Sequence, residues 1–168
     1  RLVENAEYVR SGGWSHAAQA PRLGFDVRGR TLGVVGMGRI GRVVTARAQA
    51  LGMRTLWNDL FTQLPADAPP SDYRALPDLL GESDVVSLHT DLNPSSHHLI
   101  GAAELACMPP HAVLINTSRG PVVDQTALVR ALEAKTLAAC ALDVLEQEPP
   151  AADEPLLELP NALVVPHV

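Results

Sequence analysis

The chain has 168 residues, a length that fits one domain built around one core. Asp and Glu number 19 against 13 Lys and Arg, and the resulting net charge of −6 argues against nucleic acid and anionic membranes as partners. Hydrophobic residues at 46% with charged residues at 19% exclude a disordered chain, and no apolar run reaches the roughly 18 residues of a membrane span.

Near the start, Leu2, Ala6 and Val9 recur at helical spacing and the pattern stops at Ser11-Gly12-Gly13, which predicts a helix ending there. No apolar stretch in residues 1 to 30 has the character of a signal-peptide core. Thr31-Leu32-Gly33-Val34-Val35 is apolar on both alternating faces, as a buried parallel strand requires. Gly36-Met37-Gly38-Arg39-Ile40-Gly41 follows at once, and Ile40, Val43, Val44, Ala48 and Leu51 are predicted to trace the inward face of a helix closed by Gly52. Arg54 to Trp57 reads as a second strand ending at Asn58-Asp59, and residues 84–88 and 112–116 read as two more. His97-His98 lies in a Pro- and Ser-rich loop between them and reads as solvated, while His16 and His111 adjoin turns. Asp124 suits the N-cap of a helix whose face is Ala127, Leu128, Ala131 and Leu132, and short apolar runs at 137–142 and 163–165 complete the series. Proline pairs at Pro69-Pro70, Pro109-Pro110 and Pro149-Pro150 mark loops. Strands alternating with helices predict an α/β doubly wound domain, a parallel sheet covered on both faces.

The glycine segment carries the first chemical signal. It follows a buried strand, opens an amphipathic helix and is trailed by Asp59 at about the 20-residue spacing of a Rossmann dinucleotide fingerprint. Gly36 would make the tight turn, Gly38 would let the backbone approach a diphosphate, and Gly41 would let helix and strand pack closely. Free N–H groups of Arg39 and Ile40 at the helix start would face that diphosphate. Asp59 would accept hydrogen bonds from the adenosine ribose and repel a 2′-phosphate, which favours NAD over NADP. The plainer alternative makes Asp59 a turn residue and the glycines a structural loop.

Arg119 leaves the end of a strand in Asn116-Thr117-Ser118-Arg119-Gly120-Pro121, and ligands of doubly wound sheets sit outside such strand ends. Its guanidinium is placed to meet a carboxylate bidentately, although a surface salt bridge is the commoner fate of an arginine. Glu148 and His167 end two later segments, and oxidising an alcohol needs a base for the hydroxyl proton. A histidine suits that task near neutral pH, and a carboxylate beside it would favour its protonated form. A histidine near a chain end is otherwise commonly inert. His89 ends the strand at 84–88 and so lines the crevice. No H-x-x-x-H or Cys/His cluster suggests a metal, and no G-x-S-x-G elbow makes Ser118 a nucleophile. Two cysteines, Cys107 and Cys140, form no disulfide framework, which points to a reducing compartment and a cytoplasmic protein.

Four ordered blocks resemble one family end to end. These are Arg28-Gly29-Arg30-Thr31-Leu32-Gly33-Val34-Val35-Gly36-Met37-Gly38-Arg39-Ile40-Gly41, Ile115 to Gly120, Ala141-Leu142-Asp143-Val144 with Glu148-Pro149, and Pro166-His167. The family is that of the NAD-binding domains of D-isomer-specific 2-hydroxyacid dehydrogenases. The resemblance implies hydride exchange between NAD(H) and C2 of a D-2-hydroxy acid or its 2-keto acid, the small-molecule substrate. It implies that Arg119 holds the substrate carboxylate and polarises the carbonyl, that His167 is the acid/base, and that Glu148 orients it. Asp143 matches the residue that meets the nicotinamide end of the cofactor, and Thr117 and Asp91 match positions lining its path.

Asp91 stands where the family has proline in its H-x-P-L pattern, and a carboxylate there would weaken diphosphate binding. Ala139 replaces a usual glycine. Glu148 stands where related formate dehydrogenases carry Gln, which disfavours formate. In the family the substrate domain comes from the segments flanking the cofactor domain, so the chain is expected to be an excised cofactor domain with the substrate domain absent and little turnover alone. The lead-in at residues 23–27 resembles the glyoxylate and hydroxypyruvate reductase branch. A homodimer is implied by the resemblance, through the helix at the chain start. An alternative function is an NAD(H)-sensing interaction module, like the corepressors that resemble this family.

Overall fold

The computed structural model describes residues 2–15, 24–66 and 68–168; His16 and Leu23, the first residue of the lead-in, lie outside them. In chain order the elements are α1 (Leu2–Arg10), β1 (Thr31–Val35), α2 (Arg39–Ala50), β2 (Arg54–Asn58), β3 (Asp72–Tyr73), α3 (Leu76–Glu82) and β4 (Val85–Leu88). After them come α4 (Ala102–Cys107), β5 (Val113–Asn116), α5 (Gln125–Glu133), β6 (Ala139–Leu142) and β7 (Ala162–Val164), with single 3-10 turns at Gly120–Val122 and Pro155–Leu157. The strands form one seven-stranded sheet in the order β3-β2-β1-β4-β5-β6-β7, every pairing parallel. Strand order reverses between β1 and β4, and at such a switch point the loops leaving the two strands separate and open a crevice. The predicted α/β doubly wound fold is the observed one.

Alternation along the strands builds two cores. Leu32 and Val34 pack with Met37, Ala48, Trp57 and Val85, whereas Val35 packs with Leu56, Leu79, Leu80, Val86 and Leu88 in the larger cluster. Successive strand residues point to opposite faces, and both faces are covered, so the strands read as continuous apolar runs.

The face predicted for α2 needs correction. Its buried residues are Gly41, Thr45 and Ala48, while Ile40, Val43 and Leu51 are exposed, Ile40 by 68%. A Cβ on Gly41 would collide with the Gly36 carbonyl oxygen, so the helix lies against the glycine turn through its smallest residues. Thr45 fits that contact by donating its hydroxyl to the Gly41 carbonyl at 2.9 Å. Ala48 of the predicted face is buried and Val44 packs partly buried against the core, but the bulky Ile40, Val43 and Leu51 are not, because closeness of approach decides which residues are buried. Likewise α1 forms as predicted, but none of its residues is buried. The last two strands are shorter or shifted relative to the predicted runs, starting at Ala139 and Ala162.

Candidate active site

The first half of the site is the switch-point crevice. Gly36 leaves β1 with φ +93, and a Cβ there would stand 2.6 Å from the His89 carbonyl oxygen, so the turns after β1 and β4 touch. At Gly38 a Cβ would meet nothing within 4 Å, which leaves open space beside the turn. No side chain caps α2, which starts at Arg39, so its first N–H groups and its dipole are offered to an anion. A cleft of about 330 Å³ opens here, lined by Gly36, Gly38, Asp59, His89 and Asp91 among others, with no lysine or arginine among the described lining residues.

Asp59 serves the loop as well as the cleft. Its Oδ2 accepts the Met37 N–H at 2.7 Å, clamping the glycine turn, and its Oδ1 accepts the Phe61 N–H at a longer 3.3 Å. Leu60 and Phe61 beside it are exposed and line the same cleft. Burial pushes the His89 pKa down, favouring a neutral ring, and its Nε2 lies 2.9 Å from the Ser87 hydroxyl. The buried hydroxyl of Thr90, another lining residue, has no hydrogen-bond partner.

The second half gathers at the carboxyl ends of β5, β6 and β7. Asn116 ends β5 and shapes the next turn with its amide. Its Oδ1 accepts the Ser118 N–H at 3.0 Å and the Ser118 hydroxyl at 2.8 Å, and its Nδ2 donates to the Arg119 carbonyl at 2.9 Å. The turn sits on the loop after β6, where any side chain at Gly120 would strike the Leu145 carbonyl. Arg119 donates Nη1 to the Ser118 carbonyl at 2.6 Å, and Thr117 is exposed at the strand end. Asp143 accepts the Val168 N–H at 2.9 Å.

Glu148 is held at both oxygens: Oε1 accepts the Leu145 N–H at 2.8 Å, and Oε2 lies 2.7 Å from Nδ1 of His167. The hydrogen bond from His167 holds the Glu148 pKa below its ordinary value, the Leu145 N–H adds to this, and the Arg119 charge contributes from nearby. The His167 side chain is 52% exposed, and with Nδ1 engaged its Nε2 is left as the available proton donor or acceptor. The fold therefore brings Arg119, Glu148 and His167 to the carboxyl end of the sheet, the same end as the cleft that holds the glycine turn, Asp59, His89 and Asp91.

His97 and His98 are exposed, as expected for a solvated loop, but His98 is also engaged: its Nε2 lies 2.8 Å from Oε1 of Glu146, and its ring stacks on His97 at 4.1 Å between centroids. His111 is also engaged, 2.9 Å from Asp84, whose other oxygen accepts the Thr31 N–H at the opposite end of the sheet. Sequence reasoning missed the shaping role of Asn116 and the pairing of His98 with Glu146. A strand-terminal Asn before Thr-Ser-Arg-Gly was a usable signal for the former, whereas nothing local signals a contact across 48 residues. Among the described residues, no group of three or more His, Cys, Asp or Glu is arranged to hold a metal.

All of residues 1–168 match the model of the D-isomer specific 2-hydroxyacid dehydrogenase NAD-binding domain. The chain is 48% identical to a glyoxylate reductase of Korarchaeum cryptofilum, covering 99% of this chain and 51% of that protein. It is 43% identical to a glyoxylate/hydroxypyruvate reductase B of Enterobacter agglomerans, covering 100% of this chain and 53% of that protein. The crystal structure of the TT0316 protein from Thermus thermophilus superposes with a TM-score of 0.92 at 44% identity, over 99% of this chain and 52% of that one. The chain thus spans about half the length of the curated relatives it matches.

Proposed function

Because the chain belongs to the NAD-binding domains of the D-isomer-specific 2-hydroxyacid dehydrogenases, we propose that it is the cofactor half of an enzyme that exchanges a hydride between NAD(H) and a D-2-hydroxy acid/2-keto acid pair. Glyoxylate and hydroxypyruvate are the proposed keto acids, supported by the activities named for its relatives. The observation that carries the reading is the 2.7 Å pairing of His167 with Glu148 at the same end of the sheet as the switch-point cleft. A paired imidazole poised for proton transfer favours turnover over NAD(H) sensing alone.

The cleft fits a dinucleotide. The open space at Gly38 and the uncapped start of α2, including the N–H groups of Arg39 and Ile40, suit a diphosphate, and Gly41 keeps the helix close enough to present them. Asp59 is proposed to take the adenosine ribose, and the absence of a cation among the described lining residues supports NAD over NADP. His89, Asp91, Thr117 and Asp143 are proposed to line the rest of the cofactor path. When bound, the nicotinamide supplies or accepts the hydride at the substrate C2.

In the reductive direction Arg119 holds the keto acid carboxylate through its planar fork and draws charge toward the carbonyl oxygen. His167 would deliver a proton from Nε2 to that oxygen, the one proton needed for keto acid and NADH to balance hydroxy acid and NAD+. Glu148 fixes the imidazole through Nδ1 and balances its positive charge before the transfer. The oxidative direction uses the same groups with His167 as base.

We further propose that a substrate domain completes the site, that the protein pairs as a homodimer and that it is cytoplasmic. The apolar, unburied Leu2, Val3 and Val9 of α1 support pairing, and the free thiols of Cys107 and Cys140 suit a reducing compartment. No helix among the described residues is long and apolar enough to cross a membrane, and the net charge of −6 speaks against binding nucleic acid.

The test is NADH oxidation by the full-length protein with glyoxylate, hydroxypyruvate, pyruvate and other 2-keto acids. Turnover that falls about 10²- to 10⁴-fold in His167→Ala is the expected result. No turnover with any keto acid would overturn the assignment.

A further inference from the structure

His98 stands where three segments of the site meet. It closes the loop that follows β4, which lines the cleft through Asp91, Asn93, Ser95 and Ser96. Its backbone N–H donates to the Pro121 carbonyl at 2.8 Å, just beyond the Arg119 turn, and the nearby Ile100 N–H donates to the Val122 carbonyl at 3.1 Å. Its ring reaches the third segment, the loop after β6, through the 2.8 Å contact with Glu146. The backbone at His98 is left-handed, φ +51, and its Nε2 reaches Glu146 while its N–H pairs with Pro121.

Glu146 is itself fixed. The oxygen that meets His98 also accepts the Gln125 N–H at 3.1 Å, and the Glu146 N–H donates to the Gln125 side chain at 3.0 Å. Two residues on, Glu148 holds the Leu145 N–H and the His167 ring. Hydrogen bonds thus tie the cleft-lining loop to Glu146 through His98, and two residues of chain carry that restraint on to Glu148, the carboxylate that grips His167. The two side chains of the tie are 40% and 33% exposed, so it adds little to global stability. What it restrains is local: β6 is held by its ladder to β5, and the start of the loop by the Asp143 N–H bond to the Asn116 carbonyl and by the buried Val144 and Leu145, while Glu146 beyond them is exposed and held by the side-chain tie.

We propose that His98 is a positioning residue whose bond to Glu146 holds the 143–148 loop, so that Glu148 keeps its grip on His167 when the cleft-lining loop is in place. The proposal rests on the reading of His167 and Glu148 as the acid/base pair. A cofactor that settles against the loop of residues 89–99 is thereby felt at Glu148 without touching it.

The experiment compares the wild-type protein with His98→Ala and His98→Gln, in which the amide keeps a donor for Glu146. Amide hydrogen exchange reads the loop directly. At the Leu145 N–H it is expected to quicken about 3- to 10-fold in His98→Ala, to stay unchanged in Ala139–Leu142, and to return toward wild type in His98→Gln. In the full-length enzyme kcat falls about 2- to 10-fold in His98→Ala while the Kd for NADH stays within about twofold, and Glu146→Ala added to His98→Ala costs less than it does alone. Unchanged Leu145 exchange in His98→Ala, or no recovery in His98→Gln, overturns the proposal. A wild-type protein without turnover overturns the hydride-transfer reading instead, and the exchange result still decides the role of His98.

Discussion

Glu148 binds His167 with one oxygen and its own loop with the other, 2.7 Å to Nδ1 and 2.8 Å to the Leu145 N–H. The carboxylate therefore orients the imidazole only while it is ionised, and the contact to His167 holds its pKa below the ordinary 4.5. A carboxylate with a lowered folded pKa stabilises the fold fully above its unfolded value and loses that contribution as pH falls through the folded one. The pair should thus persist through the mildly acidic range and open only as the pH falls below the ordinary carboxylate value of 4.5. Thermal melting at about pH 6 and about pH 3 checks this: Glu148→Gln should lose less between the two than wild type does. An equal loss in both proteins would mean the pair does not contribute.

Arg119 faces the site from a turn whose shape is set by Asn116, and its guanidinium donates to the neighbouring Ser118 carbonyl. Removing the guanidinium should leave the fold alone and remove the proposed substrate fork. Arg119→Ala is expected to lower kcat/KM for a keto acid by about 10- to 150-fold with the melting temperature within about 2 °C of wild type. Arg119→Lys should recover little, because an ammonium does not reproduce the planar pair of donors. Recovery to near wild type by lysine would reduce the role to simple charge.

Two glycines of the same turn should fail in different ways. A Cβ at Gly38 meets nothing in the protein within 4 Å, whereas one at Gly41 runs into the Gly36 carbonyl. Gly38→Ala should fold normally and bind NADH at least tenfold more weakly, since the added methyl enters the space offered to the diphosphate, a loss of about 1.4 kcal/mol or more. Gly41→Ala should lower stability by about 1–3 kcal/mol through overpacking, whether or not cofactor is present. NADH titration and chemical denaturation of both variants separate the two effects.

The parts of the fold that sequence disclosed are those carried by local pattern. The buried run at Thr31–Val35, the glycine turn and the Asp124 cap each have a signature within a few residues, and the Asp124 side chain does accept the Ala127 N–H at 2.9 Å. Elements too short to show a period escaped: β3 has two residues, α4 has six, and α3 has seven with a proline in its first turn. In the candidate site the pairing of Glu148 with His167 was legible, because both follow strand ends at the same edge of the sheet. The site was not legible at His98, because its partner Glu146 is brought near only by the return of the chain through β5, α5 and β6. The buried face of α2 was legible only in part, at Ala48, for a different reason, since close packing rewards the small Gly41 and Thr45 over the bulky Ile40 and Leu51.

Asp91 adds a carboxylate to a cleft that already holds Asp59 and has no lining cation among the described residues. That charge should oppose any anion entering the cleft. Asp91→Asn is expected to tighten both NADH and NADPH by about 2- to 5-fold at low salt, with the gain shrinking at about 1 M salt as the field is screened. Fluorescence titration with the two cofactors at both salt concentrations reads this, and equal affinities in wild type and variant at low salt would remove Asp91 from the cofactor's surroundings.

Asp59 has two tasks that one substitution can separate. Its Oδ2 takes the Met37 N–H at 2.7 Å and so braces the glycine turn, while the charge of the same group is proposed to exclude a 2′-phosphate. Asp59→Ala removes brace and charge together, and should lower stability by about 1 kcal/mol as well as weakening NADH. Asp59→Asn keeps a carbonyl oxygen for the Met37 N–H and removes only the charge. The turn should then hold, NADH should bind somewhat less tightly for want of a charged acceptor at the ribose, and NADPH should gain because like-charge repulsion has gone. The preference for NADH over NADPH is expected to narrow by about tenfold, the effect of one charge a few ångströms away at the cleft surface. Binding constants for both cofactors with wild type, Asp59→Asn and Asp59→Ala decide it. If the asparagine variant keeps the wild-type ratio, the carboxylate braces the loop and cofactor choice lies elsewhere.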